Sequence, residues 1–190
     1  MEEEKDQQEF NELDEAVGFS KVIHKITESQ KIVVGHNMFL DILYTIQQFV
    51  SPLPEDYEEF KEVMKTSLPK FLDTKLMALT PPLKEDIPNS TLEDLVKILD
   101  QAPFKMPKVL SGTDHPGYSL GSNDKYHEAG FDAFITGVCF IAMSNRLAKI
   151  TENQETSNVW PNEKYLSPFL NKVCHFHANN RITKRHSTIL

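Results

Sequence analysis

Cysteine is scarce in this chain: 190 residues contain two, Cys139 in an apolar stretch and Cys174 near the end. Two thiols cannot build a disulfide framework and stand at no zinc-ribbon spacing, so they read as reduced thiols of a cytosolic or nuclear protein. Long apolar runs are also wanting, since none approaches the roughly 20 residues that cross a bilayer. The acidic start has neither the basic nor the apolar region of a secretory signal. Positive charge is in deficit. Twenty Lys and Arg face 28 Asp and Glu, a formal charge of −8, whereas affinity for nucleic-acid phosphates rests on clustered cations.

That deficit is unevenly spread. Residues 1–15 hold eight acids and one lysine, which makes −7 and leaves −1 for residues 16–190. The body is nearly neutral and offers no basic patch for strong autonomous RNA binding. With 39% hydrophobic residues, the length suits one soluble domain of ordinary size.

The first dozen residues lack helical apolar periodicity and read as a solvated lead-in or interdomain linker. Phe19, Val22, Ile23 and Ile26 then recur as one buried helical stripe. Ile32-Val33-Val34, closed by Gly35, is short and β-branched and reads as a fully buried strand. A helix carrying Phe39, Ile42, Leu43, Ile46 and Phe49 follows, and Pro52 and Pro54 stop it. Residues 55–66 read as a helix and Phe71 to Thr74 as a second strand ahead of a short helical stretch. Ser90 and Glu93 make a capping box before Leu92, Leu95, Val96 and Leu99. Residues 102–125 read as a long exposed loop, Ala129 to Leu147 as a nearly all-apolar helix, and Tyr165 to Val173 as a last helix. No internal repeat is present. Strands alternating with helices indicate an α/β fold with a largely parallel sheet.

Gly35-His36-Asn37 closes the first strand, at the sheet edge where open α/β folds bind ligands. His36 and Asn37 are ordinary hydrogen-bonding residues for a strand end. Asp41, in the first turn of the next helix, also has an ordinary explanation in the helix dipole. Asp132 is harder to dismiss, because Ile135, Thr136, Cys139 and Met143 share its helical stripe. A carboxylate there is costly unless paired, hydrogen-bonded or metal-bound. His127 stands five residues earlier, about 140° off the same helical face. That spacing favours His127 just before the helix and Asp132 within it, both facing one cleft. A histidine beside a metal-binding acid is equipment for deprotonating a water nucleophile. Carboxylate oxygens select magnesium or manganese rather than zinc. Paired ions of that kind clamp an in-line phosphodiester cleavage, and such a clamp needs more acids than these two.

Gly-His-Asn-Met-Phe-Leu-Asp (35–41), Phe-Leu-Asp-Thr-Lys-Leu-Met-Ala (71–78) and His-Glu-Ala-Gly-Phe-Asp-Ala-Phe-Ile-Thr-Gly (127–137) resemble the poly(A)-specific ribonucleases. Pro-Leu-Pro (52–54) and Ala-Val-Gly-Phe-Ser-Lys-Val-Ile-His (16–24) are similar too, so the likeness runs from about residue 12 to residue 178. These are deadenylases of the DEDDh exonuclease group on a ribonuclease H-like fold. The resemblance implies catalytic Asp41, Asp132 and His127, the two acids as metal ligands for Mg2+ (two ions in the complete site) and His127 as general base. It also implies that Lys75 lies near the RNA backbone and that Asp73 is structural. Its further implications are RNA with a 3′ poly(A) end as partner, a homodimer in the complete protein, no membrane, and a place in nucleus and cytoplasm.

One element of the pattern is missing. The family's first motif, Asp-x-Glu on an apolar strand, supplies the remaining metal ligands, and Leu13-Asp14-Glu15 has the wrong spacing and context for it. The resemblance therefore implies an incomplete ribonuclease H-like exonuclease fold without its early strands. Residues 1–13 would be an acidic linker, 14–178 the C-terminal half of the nuclease domain, and 179–190 a basic loose tail. Such a half, with two of four ligands, is expected to be inactive alone. The readings to be separated are a magnesium-dependent 3′→5′ exoribonuclease that shortens poly(A) tails, a 3′-end trimmer of small non-coding RNA, and a non-catalytic RNA or protein interaction module. A metallophosphoesterase is excluded because its Asp-x-His and Gly-Asn-His elements are absent.

Overall fold

The computed structural model of the chain describes residues 2–110, 117–120, 125–152, 163–175 and 186–189. Most of the described backbone is helical, and it divides into two compact units, residues 1–32 with 40–70 and residues 33–39 with 71–190.

The first unit begins with α1 (Glu2–Val17), a helix where a linker was expected. Charged and exposed helices need no apolar stripe when strong helix formers fill them, acids sit toward the N-terminus, and i,i+4 pairs link successive turns. Gln7 donates to Asn11 and Gln8 to Glu12 in this way. Helix α2 (Ser20–Ser29) buries Ile23, whereas Phe19, Val22 and Ile26 stay exposed, so the expected buried stripe shrinks to one residue. The Thr27 hydroxyl donates to the Ser67 carbonyl at 2.6 Å, tying α2 to the end of α4 (Tyr57–Ser67). Asp56 caps α4 by accepting from the amides of Glu58 and Glu59. Helix α3 (Phe39–Phe49) buries Ile42 and Ile46, as its spacing predicts.

In the second unit, β1 (Val33–Gly35) pairs in parallel with β2 (Phe71–Asp73), Val34 opposite Leu72. Only β2 is fully buried; β1 is half-buried. A Cβ on Gly35 would fall 2.6 Å from that of Met38, so the turn leaving β1 closes as tightly as it does because residue 35 is glycine. Helices α5 (Thr74–Ala78), α6 (Leu83–Asp86) and α7 (Leu92–Leu99) follow. The capping box read at Ser90 and Glu93 does not form: Thr91 is the N-cap and makes no side-chain cap bond, its hydroxyl donating instead to the Asp94 carboxylate at 2.8 Å, while Glu93 pairs with Lys97.

Helix α8 (Ala129–Glu152) is the centre of this unit and packs against β1, α5, α6, α7 and α9 (Glu163–Leu166). A helix with neighbours on several sides must be apolar on several sides, and Phe131, Ile135, Val138, Cys139, Ala142, Met143 and Leu147 are all buried. Its segment Ala129–Thr151 is long and apolar enough to cross a membrane by length and composition, contrary to the first impression of the sequence. Half of its most apolar window is buried within the protein, which accounts for that composition. Arg146 meets Asp86 at 2.8 Å and fastens α8 to α6.

The last predicted helix, Tyr165 to Val173, is helical only at its start and ends at Leu166. After α9 the chain turns through Pro168 and a left-handed Asn171, then forms β3 (Lys172–His175), paired antiparallel with β4 (His186–Ile189). Proline cannot donate the next helical hydrogen bond, and Asn171 donates its amide to Phe71 instead. Part of the tail expected to be loose is thus strand, and the pairing among the described residues is mixed rather than largely parallel. In the 102–125 segment, residues 102–110 and 117–120 form no helix or strand, as expected of a loop; residues 111–116 and 121–124, the rest of the tail and 153–162 lie outside the described residues.

Candidate active site

The first unit contributes Asp41, exposed in the opening turn of α3, its carbonyl accepting the Thr45 hydroxyl at 2.7 Å. The other three predicted residues belong to the second unit, together with His36.

His127 occupies the turn before α8, and Asp132 lies in the helix's first turn, the arrangement their spacing implied. The His127 backbone is left-handed, with φ 74°. A histidine held there costs about 1–3 kcal/mol, and such strain concentrates at functional sites. Its imidazole is exposed. Its amide donates to Asp132 Oδ1 at 3.4 Å, a bond too long to use up the carboxylate. Around Asp132, Ile135, Thr136, Cys139 and Met143 are buried as the stripe predicts. Burial pushes the Cys139 thiol up to about 12, so it is inert packing rather than a nucleophile.

Lys75 opens α5 beside Asp73, which is completely buried. The Asp73 carboxylate accepts from the amides of Asn37 at 2.8 Å, Lys75 at 2.9 Å, Cys174 at 3.0 Å and Met38 at 3.4 Å. It is a structural acid, joining the end of β1, the start of α5 and β3.

Charges converge on His36, an ordinary strand-end residue by its sequence context. Its Nδ1 lies 3.0 Å from the Thr74 hydroxyl, and that hydroxyl donates to the Gly35 carbonyl at 2.9 Å. Which of the two supplies the proton of the His36–Thr74 bond follows the ring's tautomer. Burial pushes the His36 pKa below its ordinary 6.5, Lys75 adds to that, and Asp73, the Ser90 backbone and Asp132 pull against it. The neutral form of this half-buried imidazole stabilises the fold fully above pH 6.5. That contribution falls as pH drops from 6.5 toward the lower folded value, because the unfolded chain binds the proton first. Thermal melts between pH 7.5 and 5.5 are expected to show a steeper loss for the native chain than for His36→Gln. Equal slopes would remove His36 from this role.

The carboxylates of Asp41 and Asp132 suit a hard divalent cation in kind. In number they fall short: among the described residues no group of three His, Cys, Asp or Glu side chains is placed to hold a metal ion.

Residues 1–140 match the CAF1 family ribonuclease profile. The chain is 49% identical over 173 residues to the poly(A)-specific ribonuclease PARN of Xenopus laevis, covering 91% of this chain and 27% of that protein. It is 48% identical over 165 residues to that of Homo sapiens, covering 87% and 26%. A pre-piRNA 3′-exonuclease trimmer of Bombyx mori is 34% identical over 164 residues, covering 83% and 30%. The chain thus spans about a quarter of the length of the vertebrate relatives it matches.

Proposed function

The chain belongs to the CAF1 ribonuclease family, and from that premise we propose that it supplies part of a magnesium-dependent 3′→5′ exoribonuclease site that shortens poly(A). The observation that carries the proposal is the pairing of His127, strained and open to solvent, with Asp132 in the first turn of α8. Asp41 and Asp132 are the carboxylates offered to magnesium, which when bound polarises the phosphate and activates water. His127 takes the proton of the attacking water as its oxygen bonds to phosphorus. The bond to the 3′ oxygen of the shortened RNA breaks, releasing adenosine 5′-monophosphate. Lys75, beside His36 and Asp73, neutralises charge on the RNA backbone. A homodimer, and a place in the nucleus or cytoplasm where both cysteines stay reduced, belong to the same proposal.

The 190 residues alone are expected to leave oligo(A) intact in magnesium, since two carboxylates are a partial ligand set. A chimera in which this chain replaces the matching 27% of the frog protein should shorten 5′-labelled oligo(A) from its 3′ end. A folded chimera without activity would refute the reading, and robust hydrolysis by the isolated chain would refute the partial-site argument. The silkworm relative favours a second reading, trimming of small-RNA 3′ ends. Equal rates on oligo(A) and mixed-sequence 3′ ends would support it.

A further inference from the structure

The turn that carries His127 is gripped from outside α8. Tyr118 lies in the irregular stretch 117–120, and its ring meets Phe131 edge-on at 5.6 Å and Phe134 at 5.9 Å. Its hydroxyl donates to the Glu128 carboxylate, and Lys125 Nζ sits 5.2 Å from the ring centroid. One side chain therefore contacts the residue two before His127, the residue after it, and two rings of the helix beyond. The Glu128 bond also raises the phenol's pKa, so the hydroxyl stays a donor at neutral pH.

Gly130 is the complement of that ring. A Cβ there would stand 2.5 Å from the Tyr118 hydroxyl oxygen and 3.3 Å from two ring carbons. Alanine would otherwise be the better helix former at this position, so glycine is the residue that admits the ring. The left-handed turn at His127 has a backbone bond of its own, the Glu128 amide donating to the Lys125 carbonyl at 3.0 Å, and Tyr126 meets Phe131 edge-on at 5.4 Å. The His127 amide bond to Asp132 is long, so the grip of Tyr118 adds to these ties.

We propose that Tyr118 is a positioning residue for His127: by bridging Lys125, Glu128 and the face of Gly130, it holds residues 125–128 in the left-handed turn that presents the imidazole at the start of α8. The proposal rests on the reading of His127 as general base only for its catalytic consequence; the conformational claim stands apart from it.

The test is carbon NMR of the 190-residue chain, where the Cα and Cβ shifts of His127 report the left-handed turn. Tyr118→Ala should move those shifts toward random-coil values and speed His127 amide exchange about tenfold, while Val34 and Leu72 stay protected. Tyr118→Phe, which keeps the ring, should retain most of the signature. Gly130→Ala should reproduce the Tyr118→Ala shifts, yet change nothing further in a Tyr118→Ala background. An unmoved His127 signature in Tyr118→Ala, or additive effects of the two substitutions, would overturn the proposal. Should Tyr118→Ala unfold the unit, Tyr118→Phe and Gly130→Ala decide alone: Gly130→Ala without effect on His127 overturns it. In the chimera, Tyr118→Ala should lower kcat with KM for oligo(A) unchanged. A moved signature with unchanged kcat would uphold the positioning and sink the general-base reading of His127.

Discussion

Asp132→Ala in the active chimera is expected to cut the release of adenosine 5′-monophosphate by about a thousandfold or more while oligo(A) binding persists. The magnitude follows from the role. A ligand that fixes the ion at the reacting phosphate contributes several kcal/mol to the transition state, and each 1.36 kcal/mol is about tenfold. Its contribution to RNA affinity is small by comparison, since backbone contacts dominate that term. The structure makes the two consequences separable. Asp132 is half-buried, and among the described residues its carboxylate accepts one hydrogen bond, the 3.4 Å contact with the His127 amide, so removing the carboxylate takes little from the fold. Ala is also a better helix former than Asp at that position. Single-turnover rates alongside filter binding would measure both quantities. Near-normal turnover in Asp132→Ala would exclude Asp132 from the site, and loss of binding in step with loss of rate would make it a structural residue.

Asp73→Ala is expected to be the most destabilising single change in the second unit, costing about 4 kcal/mol or more. Four backbone amides point at this buried carboxylate, and alanine would orphan all four in the interior. No cation is needed to hold an anion there, because the converging N–H dipoles solvate it. Asp73→Asn keeps one accepting oxygen and should lose roughly half as much, since its NH2 group faces donors rather than acceptors. Urea unfolding monitored by circular dichroism measures both variants. A loss within about 1 kcal/mol for Asp73→Ala would show that the amides find other partners and that the hub is dispensable.

Some elements were legible because one local rule decided them. The spacing of Ile42 and Ile46 marked α3, Pro52 and Pro54 closed it, and the β-branched run before Gly35 marked β1. Others depended on partners distant in sequence. Val173 continues a helical period with Leu166 and Phe169, yet it lies in a strand, because β4 and the Phe71 carbonyl offered the backbone better hydrogen bonds. The opening acids have no apolar stripe, yet α1 forms from propensity and i,i+4 pairs, with Asp14 also paired to Lys21 of α2 at 2.5 Å. At the site, the five-residue interval from His127 to Asp132 pointed correctly to a turn followed by a helix. Tyr118 gave no signal, since its significance lies in a glycine twelve residues away.

By itself, the sequence determined the chemistry on offer: two carboxylates that suit a hard cation, a histidine at a helix entrance, and motifs that resemble one ribonuclease family. It also determined the placement of acid at one end of the chain, because charge counts need no fold. The tertiary structure decided which groups are free to act. Asp73 and Asp132 look alike in sequence, each an acid within an apolar segment, but four amides occupy the first and one long bond touches the second. Burial likewise withdrew Cys139 from chemistry and turned His36 into a neutral hydrogen-bonding group. Solvation and hydrogen-bond partners are properties of assembled surroundings, so residue type alone could not assign them.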